Sequence, residues 1–109
     1  MIWGMVRALL FAVILAPAMA RADRDLCAKN AKHHGTPIDL DLQQADIHDV
    51  LRLLTDVGRT NLVVGDNVAG KVTLRLRRVA WDAAVCTIAA VHHLTVTVQD
   101  NILLVRRDP

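Results

Sequence analysis

From Ile38 to Gln43 the chain alternates, with Ile38, Leu40 and Leu42 apolar and Asp39, Asp41 and Gln43 polar. A period of two puts one set on each face of a strand, one face buried and one wet. The period then lengthens. Ile47, Val50, Leu51, Leu54 and Val57 fall on one helical stripe opposite Asp49, Arg52 and Asp56. Asp46 is placed to cap the first turn of that helix and Gly58 to stop the last. A short apolar strand follows at 61-NLVVG-65, and 65-GDNVAG-70 reads as a turn whose Gly and Asn residues tolerate positive φ. Alternation returns in 71-KVTLRLR-77, with Val72, Leu74 and Leu76 on one face and Thr73, Arg75 and Arg77 on the other, until Arg78 breaks it.

A second helix is predicted to open at Trp81. Its main stripe is Trp81, Ala84, Val85, Ile88 and Val91, but Ala83, Cys86, Ala89 and Ala90 leave almost no polar reverse face. Such a helix is expected to be covered on more than one side, by sheet on both sides or by sheet and the first helix together. The segments 94-LTVTV-98 and 102-ILLVR-106, joined by 99-QDN-101, read as a hairpin. The unbroken run Ile102 to Val105 predicts a strand covered on both faces. The expected fold class is α+β, a small two-helix domain packed between short β-sheets, in the order β-α-β-β-α-β-β over residues 38–107.

The ends of the chain bound the rest. Arg7 is followed by an uncharged run from Ala8 to Ala20 that finishes Ala18-Met19-Ala20, the pattern of a secretory signal peptide over residues 1–20. The run is short for a membrane span and contains Pro17, so no stable span is expected after cleavage. Cleavage would leave 89 residues, enough for one domain with a modest core. Residues 21–37 show no apolar periodicity and read as a flexible polar leader. Without Arg7 the balance is 12 Lys and Arg against 11 acidic residues, so general electrostatic binding to nucleic acid is not expected. Cys27 and Cys86 both survive cleavage and would meet an oxidising compartment. Paired, they would close a loop of roughly 60 residues, which the chain-entropy account values at about 4 kcal/mol. The sequence leaves open the alternative of free thiols, with Cys86 a small buried residue of its helix.

Catalytic chemistry is scarce. The chain has no Ser, Glu or Tyr, and most aspartates stand where a cap, a turn or a wet strand face explains them. If the second helix continues, Cys86 and His93 are separated along its axis by roughly 10 Å, too far for direct proton transfer. His33 and His34 are adjacent, while His48, His92 and His93 share no ligand spacing with them, so neither a metal nor another cofactor is expected. Arg75, Arg77, Arg78, Arg106 and Arg107 would form one basic patch if the third and last strands lay close. They lack interleaved aromatics for base stacking, which leaves a nucleic-acid-binding domain as a remote alternative. An unpaired sheet edge that accepts a protein strand suits these features better.

Several ordered segments together carry a family resemblance. They are 49-DVLRLL-54, 61-NLVV-64, 70-GKVTL-74, 79-VAWDAA-84 and the turn at Asp100-Asn101. Over about 70 residues, from Ile38 to Arg106, the chain resembles the secretin and TonB short N-terminal domain family, most closely the periplasmic domain of type IV pilus secretins. The resemblance implies two helices held between small sheets and a non-enzymatic role in protein interaction. It implies a periplasmic location, associated with an outer-membrane secretin complex, and a protein partner such as a secretin or another pilus or secretion component. A signalling or regulatory module of the TonB-receptor or anti-sigma kind is the alternative within the same family. No ligand set is implied, so Lys71, Arg75 and Arg77 are candidate protein contacts on the strength of their expected exposure. Two departures stand out. The sequence ends at Pro109 without a membrane-embedding region, so an accessory role is expected rather than that of the pore. At the end of the second helix, 91-VHH-93 replaces the family's usual polar, glycine-containing stop.

Overall fold

The computed structural model describes residues 24–109. The signal peptide expected at 1–20 lies outside them. Eight elements follow in order: β1 (Arg24–Asp25), β2 (Pro37–Asp46), α1 (Ile47–Val57), β3 (Asn61–Val64), β4 (Lys71–Ala80), α2 (Trp81–His92), β5 (Leu94–Gln99) and β6 (Ile102–Arg107). From β2 onward this is the β-α-β-β-α-β-β order that the periodicity predicts. The strands form a mixed four-stranded sheet, β1-β5-β6-β3, and a separate antiparallel pair, β2-β4. In the larger sheet β3 runs parallel to β6, and β5 and β6 form the hairpin. Both helices touch both sheets, α1 against β2, β3 and β4, and α2 against β4 and β5.

Helix α1 begins and packs as its sequence dictates. The Asp46 carboxylate accepts the His48 N–H at 2.8 Å, and Ile47, Val50, Leu51 and Leu54 are buried. The helix stops where expected, with Gly58 as the C-cap donating its N–H to the Leu54 carbonyl at 3.1 Å, but not in the expected conformation. Gly58 sits at φ −83°, and the left-handed residue is the next one, Arg59, at φ 51°. Glycine is needed at 58 for space instead, because a Cβ there would overlap the Trp81 indole, and the same holds at Gly35. The indole therefore lies against two glycines distant in sequence. In 65-GDNVAG-70 Gly70 alone has positive φ, while Val68 plugs the core and Arg107 donates to the carbonyl of Asn67 at 2.9 Å.

Helix α2 is rotated slightly from the predicted stripe. Ala84, Val85, Ile88 and Ala89 are buried, whereas Val91 is 68% exposed. His93 ends the helix in the left-handed conformation at φ 57°, and its N–H donates to the Ala89 carbonyl. A histidine thus performs the stop in place of the glycine-containing end usual in the resembled family. The run Ile102 to Val105 is covered on one face and not on both. Leu103 and Val105 are fully buried, Leu104 is half-buried and Ile102 is 38% exposed.

The β2-β4 pair holds its inner face apolar through two bulges. Leu42 and Ala45 both point inward although three residues apart, because Gln43 and Gln44 together oppose Thr73. On the other strand Arg77 and Arg78 together oppose Asp39, which brings Val79 back to the inner face after Leu76. Each bulge places one non-glycine residue at positive φ, Gln44 at 51° and Arg78 at 55°. Each also gives that residue's N–H a side-chain acceptor across the ladder, Thr73 Oγ1 at 3.0 Å and Asp39 Oδ1 at 2.8 Å. This explains the broken alternation at Arg78.

Two substitutions test this account by urea denaturation. Asp39→Ala, which removes the acceptor for the Arg78 N–H, is expected to cost about 1 kcal/mol. Gly58→Ala forces a methyl group into the Trp81 ring and is expected to cost about 2–3 kcal/mol. A neutral Gly58→Ala would show that the indole is free to move aside.

Candidate functional site

The outer face of the β2-β4 pair carries the chain's charged side chains in register. The backbone alternation of β4 turns Lys71, Thr73, Arg75 and Arg77 to solvent while Val72, Leu74 and Leu76 pack inward. Lys71 lies opposite Asp46, and Arg75 opposite Asp41. The three candidate contact residues therefore share one strand and one exposed face, Lys71 and Arg75 roughly 13 Å apart along it. The Arg75 guanidinium is 3.6 Å from the Asp41 carboxylate, and both side chains are about two-thirds exposed. Among the described residues Lys71, Arg77 and Arg78 have no carboxylate within ion-pair distance. The face is thus an acidic row on β2 beside a basic row on β4, with excess positive charge toward the Arg78 end.

Depressions flank this strand on both sides. One, of about 240 Å³, is bounded by Asp39, Asp41, Arg75 and Arg77. The other, about 210 Å³, runs between β4 and α2 and is lined by Val72, Leu74, Ile88 and the exposed Val91, with Lys71 and His92 at its rim. The five-arginine patch is not formed. Arg75, Arg77 and Arg78 are on the two-stranded sheet, whereas Arg106 and Arg107 are on β6 of the other. The sequence pattern left this open because it shows strands and not which strands pair.

Three of the histidines have structural partners or places. His48 Nε2 is 2.6 Å from the Val68 carbonyl, His33 Nδ1 is 3.4 Å from Asp82 and His93 ends a helix. Among the described residues no three His, Cys or Asp side chains converge as metal ligands. No described helix is long and apolar enough to cross a membrane. Cys27 and Cys86 are joined by a disulfide, their Cα atoms 5.4 Å apart. Sequence spacing carried no signal for this approach, which depends on β1 lying against β5.

No family profile matches the sequence. The fimbrial assembly protein PilQ of Pseudomonas aeruginosa is 37% identical over 76 residues, covering 70% of this chain and 11% of that protein. The type IV pilus biogenesis and competence protein PilQ of Neisseria gonorrhoeae is 36% identical over 69 residues, 63% of this chain and 10% of that protein. The fold matches the N0 domain of the type II secretin from enterotoxigenic Escherichia coli with a TM-score of 0.61 at 13% identity, over 67% of this chain and 96% of that domain. The chain carries an N0-like domain, similar in sequence to part of PilQ and in fold to a secretin N0 domain. It spans about a tenth of the length of those PilQ relatives. The exposed charged pair, β2-β4, is accordingly one face of an N0-like domain, with the helices separating it from the larger sheet.

Because Asp41 and Arg75 meet in water, their attraction contributes little to stability. A double-mutant cycle on Asp41→Ala and Arg75→Ala is expected to give a coupling of about 0.2–1 kcal/mol. That coupling falls as salt is raised to 1 M, and a larger, salt-insensitive value would mean that the pair is desolvated.

Proposed function

We propose that this N0-like domain is a non-enzymatic protein-interaction module of the periplasm that acts in type IV pilus biogenesis or secretin-dependent protein secretion. The partner is a secretin or another component of the pilus or secretion assembly. The observation that carries this reading is the 37% identity to the fimbrial assembly protein PilQ over 76 residues. The contact surface in this reading is the outer face of β2-β4, with Lys71, Arg75 and Arg77 as contacts. The rows of opposite charge give a docking partner a defined register and suppress partners of the wrong pattern. Exchange of Asp41 for a partner's carboxylate at Arg75 costs little, since the internal pair is solvated. The apolar groove beside Val91 adds buried area, which the charges alone do not supply.

Affinity capture from the periplasmic fraction of the source cell, with the unmodified chain and an Arg75→Glu/Arg77→Glu variant compared by mass spectrometry, tests the reading. Recovery of pilus or secretion components is expected, lowered at least roughly tenfold by the charge reversal if the lost contacts follow interfacial charge pairs elsewhere. Equal recovery by both chains would remove the arginine face from the proposal. Recovery of receptor and sigma-regulator proteins in their place would overturn the assignment to pilus or secretion systems.

A further inference from the structure

Residues 24–36 precede the N0-like fold and lie across it as a strap. Arg24 and Asp25 pair antiparallel with Val98 and Thr97 at the outer edge of β5, and the Leu26 N–H donates to the Val96 carbonyl at 3.1 Å. Cys27 is bonded to Cys86 in the middle of α2. At the far end Gly35 donates its N–H to Asp82 Oδ1 at 3.2 Å, His33 Nδ1 lies 3.4 Å from Asp82 Oδ2, and the Thr36 carbonyl accepts the Trp81 N–H at 3.1 Å. Between these two ends the chain makes mainly short local turns, Ala28 to Asp25 and Ala31 to Ala28.

The non-covalent hold on this strap is slight for its length. Two residues of strand pairing fall well short of an ordinary strand, and the half-buried Leu26, the contact of Gly35 with the Trp81 ring and the few remaining hydrogen bonds together return less than the entropy lost on ordering a dozen residues. The covalent bond is therefore what keeps the strap in place. That bond is reachable from solvent: Cys27 and Cys86 are half-buried and form part of the floor of an open depression of about 350 Å³, bounded by Asp25, Ala90, Thr95 and Asp108. The bond lies at the margin of the core, where Cys27 packs against the apolar cluster from outside. Buried residues of α1, α2 and the two sheets form one apolar cluster, and both cysteines lie outside its fully buried set.

We propose that Cys27–Cys86 is a thiol–disulfide exchange site that locks and releases the strap of residues 24–36. A thiolate of a dithiol reductant of the C-x-x-C class attacks one of the two sulfurs, forms a mixed disulfide with it and expels the other cysteine as thiolate. The reductant's second thiol then resolves the mixed disulfide. Cys27 and Cys86 together gain two electrons and two protons, and the reductant leaves as a disulfide. Release uncovers the backbone edge of β5 and the Cys86 side of α2, and the reverse exchange, with the C-x-x-C disulfide as the two-electron oxidant, covers them again. The site is separate from the β2-β4 face, so the strap operates whether or not that face binds the proposed partner.

Hydrogen exchange on the full chain reads the strap directly, comparing the oxidised protein, the protein reduced with dithiothreitol, and a Cys27→Ser/Cys86→Ser variant. The amides of Leu26, Gly35 and Trp81 report the strap, and those of Ile47 and Gly65, bonded to Gly70 and Val105, report the core. In both reduced forms the strap amides are expected to exchange roughly 100-fold faster while the core amides change by less than about threefold. Strap amides that stay protected without the bond would overturn the proposal, because something else would then hold the segment. Strap and core amides that lose protection together would also overturn it, because the bond would then belong to the global fold. The reduction rate supplies a second measurement. Dithiothreitol should open the bond in the native protein within about 100-fold of its rate in the urea-unfolded chain, and a native rate slower by more than about 1,000-fold would exclude an addressable site.

Discussion

Helix α2 has almost no polar face, and the fold is arranged to cover it. Ala84, Val85, Ile88 and Ala89 take the core side, against α1, β4 and β5. Trp81 and Cys86, on other sides of the same helix, are covered by Gly35, Gly58 and the segment around Cys27. A helix apolar nearly all round cannot be left lying on one sheet, since its exposed side would cost about 25 cal/mol for each Å² of apolar surface left in water. Placing the helices between two sheets meets that demand, and it keeps β2-β4 apart from the larger sheet. The residual exposure at Val91 falls beside the groove along β4.

Separation of the sheets leaves a two-stranded ribbon, which is marginal in isolation. Its stability comes from the inner face, where Ile38, Leu40, Leu42, Ala45, Leu74, Leu76 and Val79 pack on the core around the buried Val72. The strands keep that face continuous over ten residues each by spending two bulges on it, at Gln44 and Arg78. Positive φ at a non-glycine residue is uncommon, and here each instance is offset by a side-chain acceptor for the N–H that the bulge takes out of the ladder. With the inner face committed to packing, the outer face is free to carry paired rows of charge. The surface proposed for partner binding is thus a consequence of how the core is closed.

Much of this was legible in the residues. The cap at Asp46, the stripe of α1, the alternation of β2 and β4, the opening of α2 at Trp81 and the β5-β6 hairpin all follow from local spacing, and the order of elements follows with them. Exposure of Lys71, Arg75 and Arg77 was legible for the same reason, because alternation on a half-buried strand fixes which side chains face water. The departures have a common cause. Val91, Ile102 and Gly58 were read from pattern within their own element, but their surroundings are set by other elements: a groove beside β4, an uncovered outer sheet face and the Trp81 ring.

The sequence by itself determined the period of each segment, the buried and wet faces of α1, β2 and β4, and the cap at Asp46. These are properties of neighbours along the chain, fixed by backbone geometry and side-chain polarity. Only the tertiary structure decided which strands pair, and so that β4 joins β2 while β3 runs parallel to β6. It alone brought Cys27 to Cys86 across 59 positions, set Trp81 between two glycines and divided the arginines between two sheets. Pairing partners are chosen by the joint packing of all the apolar faces at once, and no local window of the sequence contains that sum.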